Sequence, residues 1–113
     1  MKHVLRIRAG DRDIFSAIKS GKKRIETRAA TPKYRTLAKG DTVVFVCGSE
    51  RFERTIRRVR TFKTVSALLR VYAPQDVNPR TATRAELIAM YDSFPGYREK
   101  LRRYGLVAFE VGD

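Results

Sequence analysis

The run VVFVC, residues 43–47, constrains the fold more than any other stretch of this 113-residue chain. Five consecutive apolar residues leave no polar face, so a strand there suits burial on both sides. The other strands are less apolar. HVLRIR alternates, with His3, Leu5 and Ile7 on one face and Val4, Arg6 and Arg8 on the other. KRIETR opens a second strand, RFERTIRRVRTF is a longer one, and GLVAFEV is the last. Ile56 and Val59 stand three apart, so the long strand needs a bulge or a switch of parity between them.

Helices fall between these strands. Asp11 can cap a helix carrying Ile14, Ala17 and Ile18, and Gly21 stops it. Thr64 caps a short helix with Val65, Leu68 and Leu69; Thr83 and Glu86 have capping-box spacing before Leu87, Ile88 and Tyr91. YAPQDVNPRTA reads as a loop, and REKLRRY as a brief basic helix. The expected class is α+β, one domain over residues 1–113. A small mixed or antiparallel β-barrel flanked by short helices accounts best for short strands with few parallel crossovers.

Charge then narrows the partner. Lys and Arg number 25 against 12 Asp and Glu, a net of +13. Residues 1–60 hold 17 basic and 6 acidic side chains, whereas residues 61–113 hold 8 and 6. Arginine outnumbers lysine 17 to 8, which favours planar, bidentate partners such as phosphates and base edges. Nucleic acid is the expected ligand class.

The densest tract is GKKRIETR, residues 21–28, where Glu26 stands among Lys22, Lys23, Arg24 and Arg28. In an extended chain Arg24, Glu26 and Arg28 share one face, and Lys23, Ile25 and Thr27 the other. Ile25 then faces the core and the Arg-Glu-Arg row faces solvent or a groove; Lys22 and Lys23 lie where helix passes to strand, so parity does not fix their direction. Glu26 can hold a neighbouring cation in one posture, or accept a hydrogen bond from an exocyclic base amine. The same pattern also fits an ordinary surface ion pair, worth only ~0–1 kcal/mol. RFERTIRRVR, residues 51–60, is a second basic tract; Arg54, Arg58 and Arg60 share a parity there. Tyr34, Tyr72, Tyr97 and Tyr104 lie in or next to loops, as stacking or packing residues.

Other chemistries find little footing. One histidine and one cysteine cannot build a zinc cluster, so no metal is expected. His3 reads as structural and Cys47 as a core residue. No serine lies in a GxSxG context, and no glycine pattern supports a nucleotide cofactor. The lone cysteine fits a reducing cytosol, and no apolar run approaches a membrane span, so a cytoplasmic protein is expected.

These features in their order resemble an ASCH domain of the PUA-like superfamily. IKSGKKRIETR is similar to the family's G-x-K-x-x-E-x-R signature through Gly21, Lys23, Glu26 and Arg28. LAKGDTVVF, RRVRTFKTVSALL and YGLVAFEV resemble its following strand, its next strand and helix, and its final strand. The resemblance implies a β-barrel, a cleft lined by the signature residues, and an RNA-linked role. The expectation is an RNA-binding domain in RNA metabolism or translation. Its basic cleft would centre on Lys23, Glu26 and Arg28, with Lys22 and Arg24 beside them. Arg54, Arg57, Arg58 and Arg60 would line the backbone path. Cofactors and oligomeric state are not indicated.

The alternative is a small metal-independent hydrolase acting on RNA or a modified nucleoside in the same cleft. One ASCH branch resembles amidohydrolases that deacetylate N4-acetylcytidine with a lysine, a threonine and a glutamate. Lys23 matches the lysine, but Glu26 occupies the threonine's position and Thr27 is one residue off. Arg80 falls near the expected acid, with Asp76 the nearest carboxylate. Other members are connected with RNA cleavage, for which Lys23 and Glu26 are the candidate groups. A third possibility is a module for an acidic protein partner.

Overall fold

The computed structural model describes residues 1–113. Strand β1 (Lys2–Arg6) leads through a 3-10 turn into helix α1 (Arg12–Lys19). Strands β2 (Ile25–Ala29), β3 (Thr42–Cys47) and β4 (Glu50–Phe62) follow. Next come four helices, α2 (Val65–Leu68), α3 (Pro74–Val77), α4 (Arg84–Ser93) and α5 (Tyr97–Tyr104), and then β5 (Leu106–Gly112). No helix is long and apolar enough to cross a membrane.

The strands form one sheet in the order β1-β3-β4-β5-β2. β1 runs parallel to β3, and the other three pairings are antiparallel. The α+β class and the mixed sheet agree with the sequence reading. The barrel does not: the sheet curls into a half-barrel whose edges, β1 and β2, do not pair with each other. Alternation and strand number say nothing about whether the last two edges come within hydrogen-bond distance. Sheet curvature decides that, and the curvature depends on what packs inside.

Two cores lie on opposite faces of the sheet. The first joins Ile14, Phe15 and Ile18 of α1 to Leu5, Val43, Phe45, Ile56, Phe109 and Val111 from the strands. The second joins Leu68, Val77, Leu87 and Tyr91 from the helices to Leu106 and Ala108 of β5. Strand β3 is covered on both sides as its apolar run requires: Val43, Val44 and Phe45 are fully buried. Cys47 is buried in the first core, and His3 Nε2 lies 2.8 Å from Asp41 Oδ2 in a structural pair.

Most local signals were accurate. The Thr83 hydroxyl accepts from Glu86 N at 3.2 Å, and Glu86 Oε1 accepts from Thr83 N at 3.2 Å, a complete capping box. Thr64 Oγ1 accepts from Ala67 N at 3.1 Å. The register between β4 and β5 shifts between Ile56 and Arg58, so both Ile56 and Val59 turn to the first core. Two local readings need correction. Asp11 occupies the cap position of α1 without capping it, because its carboxylate is taken by Arg8 and Arg80. The segment read as a loop before Thr83 holds helix α3, started by Pro74 in the first turn, where proline loses no hydrogen bond.

Gly105 joins α5 to β5 with φ +76° and ψ −162°, a conformation essentially confined to glycine. A Cβ there would meet the Phe62 carbonyl oxygen at 2.4 Å. Gly105→Ala should therefore cost about 2–4 kcal/mol from strain and overpacking, read as a lower urea midpoint. Gly10→Ala, where a Cβ meets nothing within 4 Å, should leave the midpoint nearly unchanged.

Candidate functional site

A hollow of about 640 Å³ opens where the half-barrel fails to close. Both sheet edges contribute to it: Arg6 of β1 with Ile7 and Arg8 just after, and Glu26, Thr27 and Arg28 of β2. Lys23, Tyr34, Arg80, Tyr91, Phe94, Tyr97 and Lys100 complete much of the wall.

Three charges meet on its floor. The turn after α1 is tied by Lys23 N–H donating to Ala17 O at 2.9 Å, and the Lys23 side chain runs inward. Its ammonium donates to Ile25 O, and to Val77 O at 2.5 Å, and lies 3.7 Å from Glu26 Oε1. Arg28 Nη1 stands 3.1 Å from the same Oε1 and donates to Thr27 O at 2.8 Å. Thr27 N–H also donates to Glu26 Oε1, at 3.0 Å. All three donors thus converge on one carboxylate oxygen. The other, Oε2, accepts no hydrogen bond from the protein. Since no sealed side-chain oxygen lacks a partner, Oε2 is reached from the hollow.

Burial pushes the Glu26 carboxyl up, but Lys23 and Arg28 outweigh it and hold the group below the usual carboxylate range. Burial also draws the Lys23 ammonium below the ordinary lysine value, and Glu26 only partly restores it. Glu26 is 7% exposed and Lys23 2%, so the surface ion-pair alternative does not hold. Lys23 escapes the strand-parity reading because β2 begins two residues later, at Ile25.

Aromatic groups form the adjoining wall. Tyr91 Oη and Thr27 Oγ1 lie 2.5 Å apart, and burial raises the Tyr91 phenol above its ordinary value. Tyr97 Oη accepts from Ala29 N–H at 2.8 Å, and its ring lies parallel to that of Tyr91 with centroids 6.0 Å apart. Phe94 meets Tyr97 edge-on at 5.4 Å. Of the four tyrosines singled out from sequence, Tyr34 and Tyr97 line the hollow. Tyr72 is buried in the second core, where burial and the Glu110 carboxylate push its phenol up to about 12. Tyr91, Arg6, Arg8 and Lys100 were missed, since nothing local distinguishes them from core or surface residues.

The remaining basic residues go elsewhere. Lys22 is exposed outside the hollow. Arg24, Arg54 and Arg57 border a second hollow of about 460 Å³, which shares Lys23 with the first. Arg54 is committed there, donating to Glu53 O at 2.7 Å and Lys19 O at 2.8 Å. Arg58 pairs with Glu110 across β5 and Arg60 with Ala108, whereas Glu26 pairs with Phe109. Arg58 and Arg60 therefore lie on the opposite face of the sheet from Glu26 and Arg28.

Comparison with known proteins gives structural neighbours. The crystal structure of hypothetical protein PH0355 superposes with a TM-score of 0.81 at 24% identity, covering 98% of this chain and 97% of that one. The solution structure of protein PF0455 from Pyrococcus furiosus gives 0.77 at 26% identity, covering 98% and 96%. No protein-family model matches the chain, and no curated protein matches it. The neighbours establish that this fold, along its whole length, recurs in other proteins.

The ion cluster makes a prediction about stability. Glu26→Gln should cost about 3–5 kcal/mol at pH 7, because it leaves Lys23 and Arg28 buried without their counter-charge. The wild-type advantage comes from a depressed carboxyl pKa, so it is present above the unfolded value of about 4.3 and lost as pH falls through the folded one. Urea titrations should show the two proteins converging as the pH drops below about 4.3. A gap that stays constant into acid would remove Glu26 from the ionised cluster.

Proposed function

We propose that this chain is a PUA-like domain of ASCH type that binds RNA, holding one unpaired nucleotide in the hollow beside β2. Lys23, Glu26 and Arg28 are the centre of the site. The observation that carries this reading is an open carboxylate oxygen set among cations and aromatic rings. Six basic and two acidic side chains line the hollow, a net of +4 that favours a polyanion. Tyr34, Phe94 and Tyr97 offer ring faces for an unstacked base. Glu26 Oε2 repels phosphate but accepts from an exocyclic amine or ring N–H, so the base goes to the floor and the phosphates to the rim. The volume falls within the ~300–1,000 Å³ typical of small-ligand pockets. The meeting of signature residues Lys23, Glu26 and Arg28 in one cluster supports the ASCH-type reading.

The hydrolase alternative draws less support. The Lys23 ammonium is engaged by two carbonyls and a carboxylate, and the Thr27 hydroxyl pairs with Tyr91. Neither forms the base–nucleophile pair that acyl transfer requires.

The reading is tested by titrating the protein with transfer RNA, unstructured RNA and duplex DNA of similar length at several salt concentrations. A preference for one RNA class that survives near-physiological salt is expected. Equal binding that fades for all three alike would leave only a charged surface. Tyr34→Leu should weaken binding of the preferred RNA by about 1–3 kcal/mol while leaving the salt slope unchanged, because a stacking face is lost and no charge. Unaltered affinity would take Tyr34 out of the site.

A further inference from the structure

We infer that the phosphates flanking the bound nucleotide run over one face of α5 and the 34–36 turn, not over the arginines of β4. This rests on the reading of the hollow as an RNA site. The observations behind it are which cations stand beside the hollow and which of those have a counter-charge. On β4, Arg54 stands 3.5 Å from the Asp113 carboxylate and Arg58 3.8 Å from that of Glu110; Arg51 and Arg60 pair with no carboxylate, but no β4 arginine lines the hollow. Helix α5 divides by face. Arg98 and Arg102, one turn apart, pair with Asp92 at 3.1 Å and Glu99 at 3.7 Å. Lys100 and Arg103, three apart on another face, pair with no carboxylate, and both are exposed.

That unpaired face adjoins the hollow. Tyr97 and Lys100 of α5 line it, and so does Tyr34. Arg35 fastens the turn to the end of the helix, donating to Ala30 O at 2.7 Å and Tyr104 O at 3.3 Å. Exposed Lys33, also without a carboxylate partner, lies 5.3 Å from the Tyr34 ring centre, and the Arg103 guanidinium 5.2 Å from that of Tyr104. Uncompensated cations alternate here with tyrosines. That is the chemistry of single-stranded nucleic acid binding, where charge follows the phosphates and rings receive bases. An arginine already paired with a carboxylate must lose that partner before it meets a phosphate; Lys33, Lys100 and Arg103 have none to lose.

The test measures the salt dependence of binding to a short single-stranded RNA for three proteins. They are the wild type, the triple variant Lys33→Gln, Lys100→Gln, Arg103→Gln, and a charge-matched control, Arg51→Gln, Arg58→Gln, Arg60→Gln. Five of the six positions are exposed and Arg60 is half-buried, and thermal melts establish that the variants are folded. The first variant should reduce the magnitude of the log–log salt slope by about two, from three lost contacts at ~0.7 each, and the control should barely change it. Equal reductions in both variants, or a larger one in the control, overturn the path over α5 and leave the hollow as an RNA site. Absence of RNA binding by the wild type overturns the RNA reading itself, and is distinguished by needing no variant.

Discussion

Leu106 and Ala108 of β5 belong to one core while Phe109 belongs to the other, so each step along this strand alternates between the two hydrophobic layers. The same strand pairs with β4 on one side and β2 on the other. Strand β2 has no other partner in the sheet, so the positions of Glu26, Thr27 and Arg28 are inherited from β5. Apolar burial on both faces of β5 is what makes that inheritance rigid. Gly105 sets where the strand starts, against the Phe62 carbonyl that any side chain would strike.

On this scaffold the charges separate into two populations. Most acidic groups are consumed in pairs: Asp11 and Asp13 by Arg80, Glu50 by Arg12, Glu53 by Lys2. These pairs lie at the surface and contribute little to stability. The Lys23–Glu26–Arg28 cluster differs because its members are largely withdrawn from water. A carboxylate in that position needs its cations, and each cation needs oxygen neighbours, which the carbonyls of Ile25, Val77 and Thr27 supply. The Lys23 contact with Val77 also ties α3 to the floor of the hollow. Stability and site geometry therefore share the same atoms.

Much of the fold was legible because its signals are local. The capping box at Thr83 and Glu86, the cap at Thr64 and the apolar β3 each depend on residues within one turn or one short run. Even the bulge near Arg57 was visible, since two core residues three apart cannot face the same way in a regular strand. Parity put Glu26 and Arg28 on one face correctly. It did not fix Lys23, which precedes the strand and takes its direction from the turn after α1. Barrel closure and the allegiance of the β4 arginines were equally out of reach, because both depend on sheet curvature and register across residues far apart in the chain.

Alone, the sequence determined the α+β class, most of the helices and strands, the excess of positive charge and the GKKRIETR tract as its densest basic stretch. Hydrophobic periodicity, capping chemistry and composition carry that information, and all are local or summed quantities. Only the tertiary structure decided that the sheet stays open, that the opening is the hollow, and that Glu26 is a buried hub with one oxygen free. It also decided which basic residues keep a counter-charge and which do not. Those outcomes depend on distances between residues widely separated in sequence, set by packing in two cores at once.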